Sequence, residues 1–118
     1  MNQSALLLVA EVGPLAEGLL AIISAVPGIQ LVGQSVTVSS IARHLGPDGP
    51  AKVLIDFALF GAKTPAVIQE VRAMSPTAKC IVLVDEVRQK RSALGAGADV
   101  VLLKGCVAEE IVEAIRTR

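Results

Sequence analysis

Five short apolar runs recur along the chain, and their spacing limits the folds that it can adopt. The runs lie at residues 5–9, 29–32, 53–55, 81–84 and 100–103. Each has the length of a buried strand, and continuous apolar runs are typical of strands covered on both faces of a parallel sheet. Every gap between them has room for one helix, which the crossover between parallel strands requires. The spacing therefore predicts five alternating strands and helices in a three-layer α/β sandwich.

The gaps between the runs carry helix signals of their own. Pro14 suits the first turn of the first helix, and Thr64 followed by Pro65 predicts an N-cap and a first-turn proline for the third. The second and fourth helices are expected at about residues 39–45 and 87–96. The fourth offers few large apolar side chains, so we expect it to be the most weakly held. A last apolar stripe near the end of the sequence predicts the fifth helix.

The length of the chain predicts one domain over residues 1–118. Hydrophobic residues make up 53% of it, which is enough for a proper core. Eleven basic residues balance eleven acidic ones, and this argues against direct nucleic-acid binding, which needs a basic surplus. The apolar runs are far shorter than a membrane span, and two cysteines are too few for a disulfide scaffold. We therefore expect a cytoplasmic protein without membrane contact.

Charged side chains follow four of the five predicted strands. They are Glu11 after the first strand, Asp56 after the third, Asp85 after the fourth and Lys104 after the fifth. In doubly wound parallel sheets, ligands and chemistry collect at these carboxyl ends of the strands. Three carboxylates in one crevice can hold a divalent cation, and a lysine facing them can neutralise a phosphoryl charge. The sequence therefore predicts an acidic pocket of Glu11, Asp56 and Asp85, with Lys104 beside it.

The order of the elements and several stretches resemble the receiver domains of two-component response regulators, most closely those joined to LuxR/FixJ-type effectors. The matching stretches include LLLVAEVGPLAEGL at residues 6–19, VLIDFALFG at 53–61 and AGADVVLLK at 96–104. The resemblance covers residues 5–116. It implies the flavodoxin-like fold of the chemotaxis response regulator and a non-enzymatic role in bacterial phosphorelay signal transduction. It also implies a histidine kinase as partner, and transcription regulation through a C-terminal DNA-binding effector of a longer regulator.

The resemblance assigns roles to two residues at the strand ends. Asp56 matches the phosphoacceptor aspartate of the family, and Lys104 matches its site lysine. The acidic pair that holds Mg²⁺ in the family is replaced here by Ala10 and Glu11. Because one acidic ligand is missing, we expect only weak Mg²⁺ binding, through Glu11 and Asp56.

Two further positions depart from the family pattern. Val84 stands where the family has a Ser or Thr that binds the phosphoryl group, and Val101 stands where it often has a switching Tyr or Phe. A valine side chain cannot donate a hydrogen bond, and a modification that does not favour one of two conformations cannot shift their populations. We therefore expect an atypical receiver, or pseudo-receiver, that regulates through protein–protein contacts, with a homodimer among them.

Asp85 has two interpretations, because the family usually carries a small residue at this position. A carboxylate next to Asp56 would repel an incoming phosphoryl group, or its charge would mimic one. In the other interpretation, Asp85 points to solvent and caps the fourth helix, since an acidic side chain suits a helix N-terminus.

Two alternative functions stay open at this point. The first is a conventional receiver, in which a histidine kinase phosphorylates Asp56 with Mg²⁺ held by Glu11 and Asp56. The second is a small flavodoxin-like ligand-binding protein outside signalling. The acid after the first strand disfavours it, because a carboxylate repels the phosphate of a flavin cofactor.

The lone histidine and the two cysteines are interpreted as structural. His44 has no second histidine near it in the sequence, which disfavours a metal site. Cys80 opens a buried strand, and Cys106 is expected to be a small residue at the start of the last helix.

Overall fold

The computed structural model describes residues 3–117. Its strands are β1 (Ser4–Val9), β2 (Ile29–Ser35), β3 (Lys52–Asp56), β4 (Lys79–Val84) and β5 (Val100–Leu103). Its longer helices are α1 (Pro14–Ala25), α2 (Val38–His44), α3 (Thr64–Met74), α4 (Val87–Ala96) and α5 (Ala108–Arg116). Each predicted strand lies within an observed one, so the predicted alternation is confirmed. No helix within these residues is long and apolar enough to cross a membrane.

The five strands form one parallel sheet in the order β2-β1-β3-β4-β5. The chain runs outward from β1 to β2 and then returns to β3 on the other side of β1. The strand order therefore reverses beside β1, where a crevice opens at the carboxyl ends of the strands. Pairing of Val9 with Ile55 and of Val84 with Leu103 keeps these ends level with one another. The loops that follow β1, β3, β4 and β5 consequently meet at one edge of the sheet.

Two apolar cores fill the spaces between the sheet and its helices. Leu7, Val53 and Val82 belong to one core, together with buried side chains of α2, α3 and α4. Leu8 and Leu54 belong to the other core, with buried side chains of α1 and α5. Successive residues of a strand enter opposite cores because strand side chains alternate between the two faces. The sheet is therefore covered on both faces, as its continuous apolar runs predicted.

A short helical segment that the sequence analysis did not predict follows β3 directly. Phe57–Phe60 forms one α-helical turn, and Gly61–Lys63 forms a turn of 3-10 helix before α3. Asp56 caps this segment, because its Oδ1 accepts the backbone N–H of Ala58 at 3.0 Å. Gly61 has φ of 55°, a conformation that costs glycine little. The turn is too short for an apolar period to reveal it in the sequence.

Thr64 is the first residue of α3 and not its N-cap, so the predicted cap was wrong. The backbone of the preceding Lys63 is already helical, and no side chain caps the helix there. The buried Thr64 hydroxyl instead donates to the carbonyl of Phe57 at 2.8 Å. This hydrogen bond joins the start of α3 to the turn that carries the end of β3.

Arg72 of α3 joins the amino ends of β4 and β5. Its guanidinium donates to the carbonyl of Gly97 at 2.8 Å and to that of Ala78 at 2.6 Å. It also forms an ion pair with Asp99, whose Oδ2 accepts the backbone N–H of Cys80 at 2.7 Å. The aspartate in the stretch at residues 96–104 therefore has a structural role at the edge of the sheet opposite the crevice.

Helix α4 is anchored mainly at its two ends. Ala93 is its one fully buried side chain, which confirms the few core contacts that its sequence predicted. At its start, Glu86 and Gln89 form a reciprocal capping box. At its end, Gly97 adopts a left-handed conformation with φ of 113°.

Candidate functional site

Asp56 lies at the carboxyl end of β3, with its side chain at the crevice. The side chain is 12% exposed, and its Oδ1 accepts two hydrogen bonds. One comes from the backbone of Ala58 at 3.0 Å and the other from Nζ of Lys104 at 2.7 Å. The carboxylate is therefore held by a helical turn on one side and by a cation on the other, with an opening to solvent.

Lys104 is positioned by the sheet itself. It directly follows β5, and its backbone N–H donates to the carbonyl of Val84 at 2.9 Å, which extends the pairing of β5 with β4. Its Nζ lies 2.7 Å from Oδ1 of Asp56 and 3.3 Å from Oδ1 of Asp85. One ammonium group thus joins carboxylates from two neighbouring strand ends.

The two carboxylates change the acidity of this ammonium group. Partial burial acts to lower the pKa of Lys104. The hydrogen bond and charge of Asp56, and then those of Asp85, outweigh burial, so the pKa lies above the ordinary lysine value. Lys104 is therefore charged throughout the physiological range, and the site keeps one positive and two acidic groups in contact.

Asp85 contacts Lys104 and does not cap α4, so the predicted capping role was wrong. The cap is Glu86, whose side chain accepts from the backbone of Gln89 while the Gln89 side chain accepts from the backbone of Glu86. The Gln89 side chain also accepts the backbone N–H of Asp85 at 2.8 Å. This arrangement frees the Asp85 carboxylate, which is 53% exposed, to reach the ammonium of Lys104.

Solved structures resemble the whole chain. A two-component response regulator of the LuxR family from Aurantimonas sp. SI85-9A1 matches with a TM-score of 0.84 and 22% identity, over 97% of this chain and 83% of that chain. A CheY-like response regulator receiver domain protein from Methanospirillum hungatei JF-1 matches with a TM-score of 0.80 and 16% identity, over 98% and 92%. The signal receiver domain assigned to the response regulator NarL of Mycobacterium tuberculosis matches with a TM-score of 0.80 and 24% identity, over 98% and 94%.

The chain has the receiver-domain fold. This confirms the flavodoxin-like, doubly wound sandwich with a five-stranded parallel sheet. At these identities the likeness is one of fold. No protein-family model matches the sequence, and no curated protein matches it.

Within the receiver fold, Val84 and Val101 are core residues. Val84 ends β4 and is 0% exposed, and Val101 is buried at the middle of β5. Both belong to the core that α4 covers. Neither side chain has a hydrogen-bonding atom, so their contribution to this part of the fold is apolar packing.

Glu11 was predicted to share the acidic pocket with Asp56 and Asp85. In the part of the chain that the structure describes, the ion pairs of Lys104 are with Asp56 and Asp85 and do not include Glu11. Ala10 is buried in the core beneath α1, whereas Glu11 is exposed in the loop between β1 and α1. Among residues 3–117, no group of three or more histidine, cysteine or acidic side chains could hold a metal ion. Magnesium binding through Glu11 and Asp56 therefore stays a prediction.

The histidine and the cysteines lie away from the charged contact. Nδ1 of His44 donates a hydrogen bond to the Ser40 carbonyl at 3.1 Å. The ring packs over Gly33, where a Cβ would lie 2.7 Å from Nε2. Cys80 is fully buried, and burial raises the pKa of its thiol to about 12. Burial, followed by a hydrogen bond with Glu110, also raises the pKa of Cys106. Both thiols are therefore held in their unreactive protonated form.

Sequence reasoning placed Asp56, Asp85 and Lys104 in one crevice but missed how they are joined. The parallel pairing of β4 with β5 brings residues 85 and 104 side by side, and strand order alone does not reveal this ion pair. The amide of Ala58 was also missed as a donor to Asp56, because it belongs to the short turn that has no sequence period.

Proposed function

We propose that this chain is a receiver-like signalling domain of a bacterial two-component response regulator, of an atypical kind that acts through protein–protein contacts. The observation that carries the proposal is the contact of Lys104 with both Asp56 and Asp85. In this arrangement, the cation that would stabilise a phosphoryl group on Asp56 already has a second anion beside it. The domain has no chemistry of its own in this proposal, which makes it non-enzymatic.

The position of Val84 supports the same proposal. Val84 ends the strand next to β3 and is 0% exposed in an apolar core. Val84 has no hydroxyl that could donate a hydrogen bond to a phosphoryl group on Asp56 and so stabilise a second conformation. Without a difference in affinity between two conformations, phosphorylation has no means of shifting their populations.

A second candidate function is the conventional phosphoacceptor. It is favoured by Asp56 itself, which is partly open to solvent and has an ammonium group 2.7 Å from its Oδ1. In that case a histidine kinase donates the phosphoryl group, and Glu11 and Asp56 hold Mg²⁺. A metal held there would supply positive charge that offsets the negative charge developing during transfer.

Phosphorylation by a small donor separates the two candidates. The chain is incubated with acetyl phosphate and Mg²⁺, and its intact mass is measured beside that of Asp56→Asn. Transfer would break the P–O bond of acetyl phosphate, release acetate and form an acyl phosphate on Asp56. We expect no stable gain of a phosphoryl mass in the folded wild-type chain. A gain that disappears in Asp56→Asn would replace this proposal by the conventional one.

The remaining parts of the proposal concern partners and place. A histidine kinase or another protein is the expected partner, and any DNA binding belongs to a further domain of a longer regulator. The expected compartment is the cytoplasm. A ligand-binding function outside signalling is less well supported, because exposed Glu11 carries negative charge in the loop where a phosphate-bearing ligand would bind.

A further inference from the structure

We infer that a second copy of this chain pairs with strand β2, so that two sheets join edge to edge across a two-fold axis. Strand β2 ends the sheet beside β1, and within residues 3–117 no other strand covers its outer edge. Helices α1 and α2 pack against it on opposite faces of the sheet. The outer edge of such a strand presents backbone donors and acceptors that a further strand can use.

Strand β2 and the loops around it are uncharged. Every residue from Gly18 to Ala42 lacks a charge, and this stretch contains all of β2 together with the loops on both sides of it. Strand β5, at the opposite end of the sheet, begins directly after Asp99 and ends directly before Lys104. Charged residues on an edge strand are one means by which proteins prevent sheets from pairing. At β2, by contrast, pairing requires no burial of charge.

Exposed apolar side chains follow the same edge. Leu31 is 38% exposed and Val32 40% within β2, and Val36, directly after the strand, is 44% exposed. Leu31 pairs with Leu6, which belongs to the core beneath α1, so the Leu31 side chain lies on the α1 face of the sheet. One copy thus leaves an uncharged and partly apolar strip uncovered.

The backbone of Leu31 is directed away from β1. The N–H of Ser4 donates to the carbonyl of Gly28 at 2.7 Å, and Ser4 lies opposite Ile29 in the parallel register. In a parallel pair, every second residue of a strand directs both of its backbone groups to the same neighbour. Gln30 is therefore bonded to β1, and the N–H and C=O of Leu31 point outward. One residue thus offers both a donor and an acceptor at the uncovered edge.

These two backbone groups are complementary to themselves under a two-fold rotation. An axis perpendicular to the sheet, at the outer edge beside Leu31, brings the same residue of a second copy opposite it in an antiparallel pair. Each Leu31 N–H then donates to the other Leu31 carbonyl, and the two side chains meet on the α1 face. A charged partner would find no opposite charge here, whereas a second copy matches the edge in both hydrogen bonding and apolar character. Because the pairing uses the β2 edge of both copies, the assembly stops at two.

The size of the edge sets the strength of this dimer. A strip as long as the seven residues of β2 and as wide as the shortest dimension of the molecule, 25 Å, has an area of about 600 Å². Stable complexes bury about 800 Å² per partner. A β-bulge at Val32, where the register with β1 shifts, further shortens the straight part of the strand. We therefore expect a weak dimer that forms reversibly at high concentration.

Two substitutions at Leu31 test the inference by sedimentation equilibrium of the unphosphorylated chain at up to about 1 mM. Leu31→Pro removes the outward N–H, which does not take part in the pairing with β1, so the monomer should still fold. Leu31→Lys keeps this N–H but places two like charges opposite each other in the dimer. We expect the wild type to show monomer and dimer, and both variants to remain monomeric. The matched control is Leu94→Lys on α4, which also makes an exposed leucine basic and should dimerise like the wild type.

Amide hydrogen exchange of the wild type locates the contact. The Leu31 amide should exchange several-fold more slowly in a concentrated solution than in a dilute one, because pairing gives its N–H an acceptor. The Gln30 amide should change less, since it is already bonded to β1.

Three results would overturn the inference. They are a wild type that is monomeric at every concentration, a dimer that either Leu31 variant leaves intact, and a Leu31 amide whose exchange does not depend on concentration. The inference rests on the proposed function only in giving the dimer a use in signalling. Since no phosphodonor is present, the sedimentation result and the phosphorylation result can fail independently.

Discussion

Oδ1 of Asp85 lies 3.3 Å from Nζ of Lys104, within the same crevice as Asp56. The two residues directly follow the neighbouring strands β4 and β5, and the exposed Asp85 side chain extends from the end of β4 towards that of β5. Because Lys104 also contacts Asp56, an anion attached to Asp56 would compete with Asp85 for a single cation. The Asp85 carboxylate would also repel that anion directly.

Replacing Asp85 by alanine should make Asp56 a better phosphoacceptor. At an intermediate dielectric, a carboxylate close to a second negative group opposes it by about 1–2 kcal/mol, or about tenfold in rate. We therefore expect Asp85→Ala to react with acetyl phosphate and Mg²⁺ about ten times faster than the wild type, whose own reaction is too slow to give a stable gain of mass. Intact mass after a fixed time gives the measurement.

Two variants serve as controls for the Asp85 effect. Asp85→Ala combined with Asp56→Asn should show no labelling, and Glu86→Gln should label like the wild type because Glu86 belongs to the α4 cap. Equal labelling of Asp85→Ala and the wild type would show that Asp85 does not oppose the phosphoryl group.

The buried thiol of Cys80 should make stability fall at alkaline pH. Its pKa is about 12 in the folded chain against an ordinary value of 9.0, so between these values only the unfolded thiol loses its proton. The free energy of unfolding should then decrease by up to about 1.4 kcal/mol per pH unit. Urea unfolding of the wild type and of Cys80→Ala from pH 8 upward (about 8 to 11) measures this slope. A difference between the two proteins that is constant with pH would contradict the assignment.

The Lys104 contact should contribute stability that alkaline pH removes. Because the folded pKa of Lys104 is raised, the contribution is complete below the ordinary lysine value of 10.5 and is lost as the pH rises through the folded pKa. At neutral pH we expect Lys104→Met to lower the free energy of unfolding by about 1 kcal/mol, since the pair is partly exposed. The comparison is made in the Cys80→Ala background, which removes the thiol titration. A stability difference between Lys104→Met and its parent that grows above the folded pKa of Lys104 would contradict this prediction.

Replacing Arg72 should lower the free energy of unfolding more than replacing most other polar side chains of the fold. Arg72→Ala removes donors to the carbonyls of Gly97 and Ala78 and leaves Asp99 without its cation. We expect a loss of about 2–4 kcal/mol in urea unfolding, because each broken bond leaves a partly buried acceptor unsatisfied. Arg72→Lys should recover little, since an ammonium lacks the planar fork.

The matched control for this prediction is Arg88→Ala on α4. Arg88 is 86% exposed and pairs with Glu86 at the surface, so its loss should change stability by less than about 0.5 kcal/mol. Equal effects of the two alanine variants would refute the structural role of Arg72.

The sequence predicted the strands because each carries a short apolar run, and in the central strands β1, β3 and β4 that run is continuous and mostly buried. Apolar periodicity predicted the longer helices because each buries one side against the sheet. Periodicity did not predict the helical turn Phe57–Phe60, because one turn is too short to show an apolar repeat and is stabilised by the Asp56 cap. The N-cap prediction for Thr64 was wrong for another reason. A threonine hydroxyl can cap a helix or donate to a carbonyl elsewhere, and here it donates to Phe57.

The candidate site was predictable in position more than in detail. Asp56, Asp85 and Lys104 lie at the carboxyl ends of neighbouring strands. Their closeness follows from the strand order in a parallel sheet. Which of two adjacent acids caps α4 depends on the Gln89 side chain, and this competition decides that Asp85 is free to contact Lys104. Local propensity favours Asp85 over Glu86 as the N-cap, so only the tertiary structure shows that Glu86 takes this position.

The single fully buried side chain of α4, Ala93, has a consequence for the order in which the molecule opens. A segment with little buried apolar surface separates from the rest at a low free energy, so its amide protons exchange with solvent through local rather than global unfolding. Helix α3, with Val67, Ile68 and Val71 in the core, should exchange far more slowly. A helix that opens readily thus begins two residues after Asp85, beside the contact of Asp85 with Lys104.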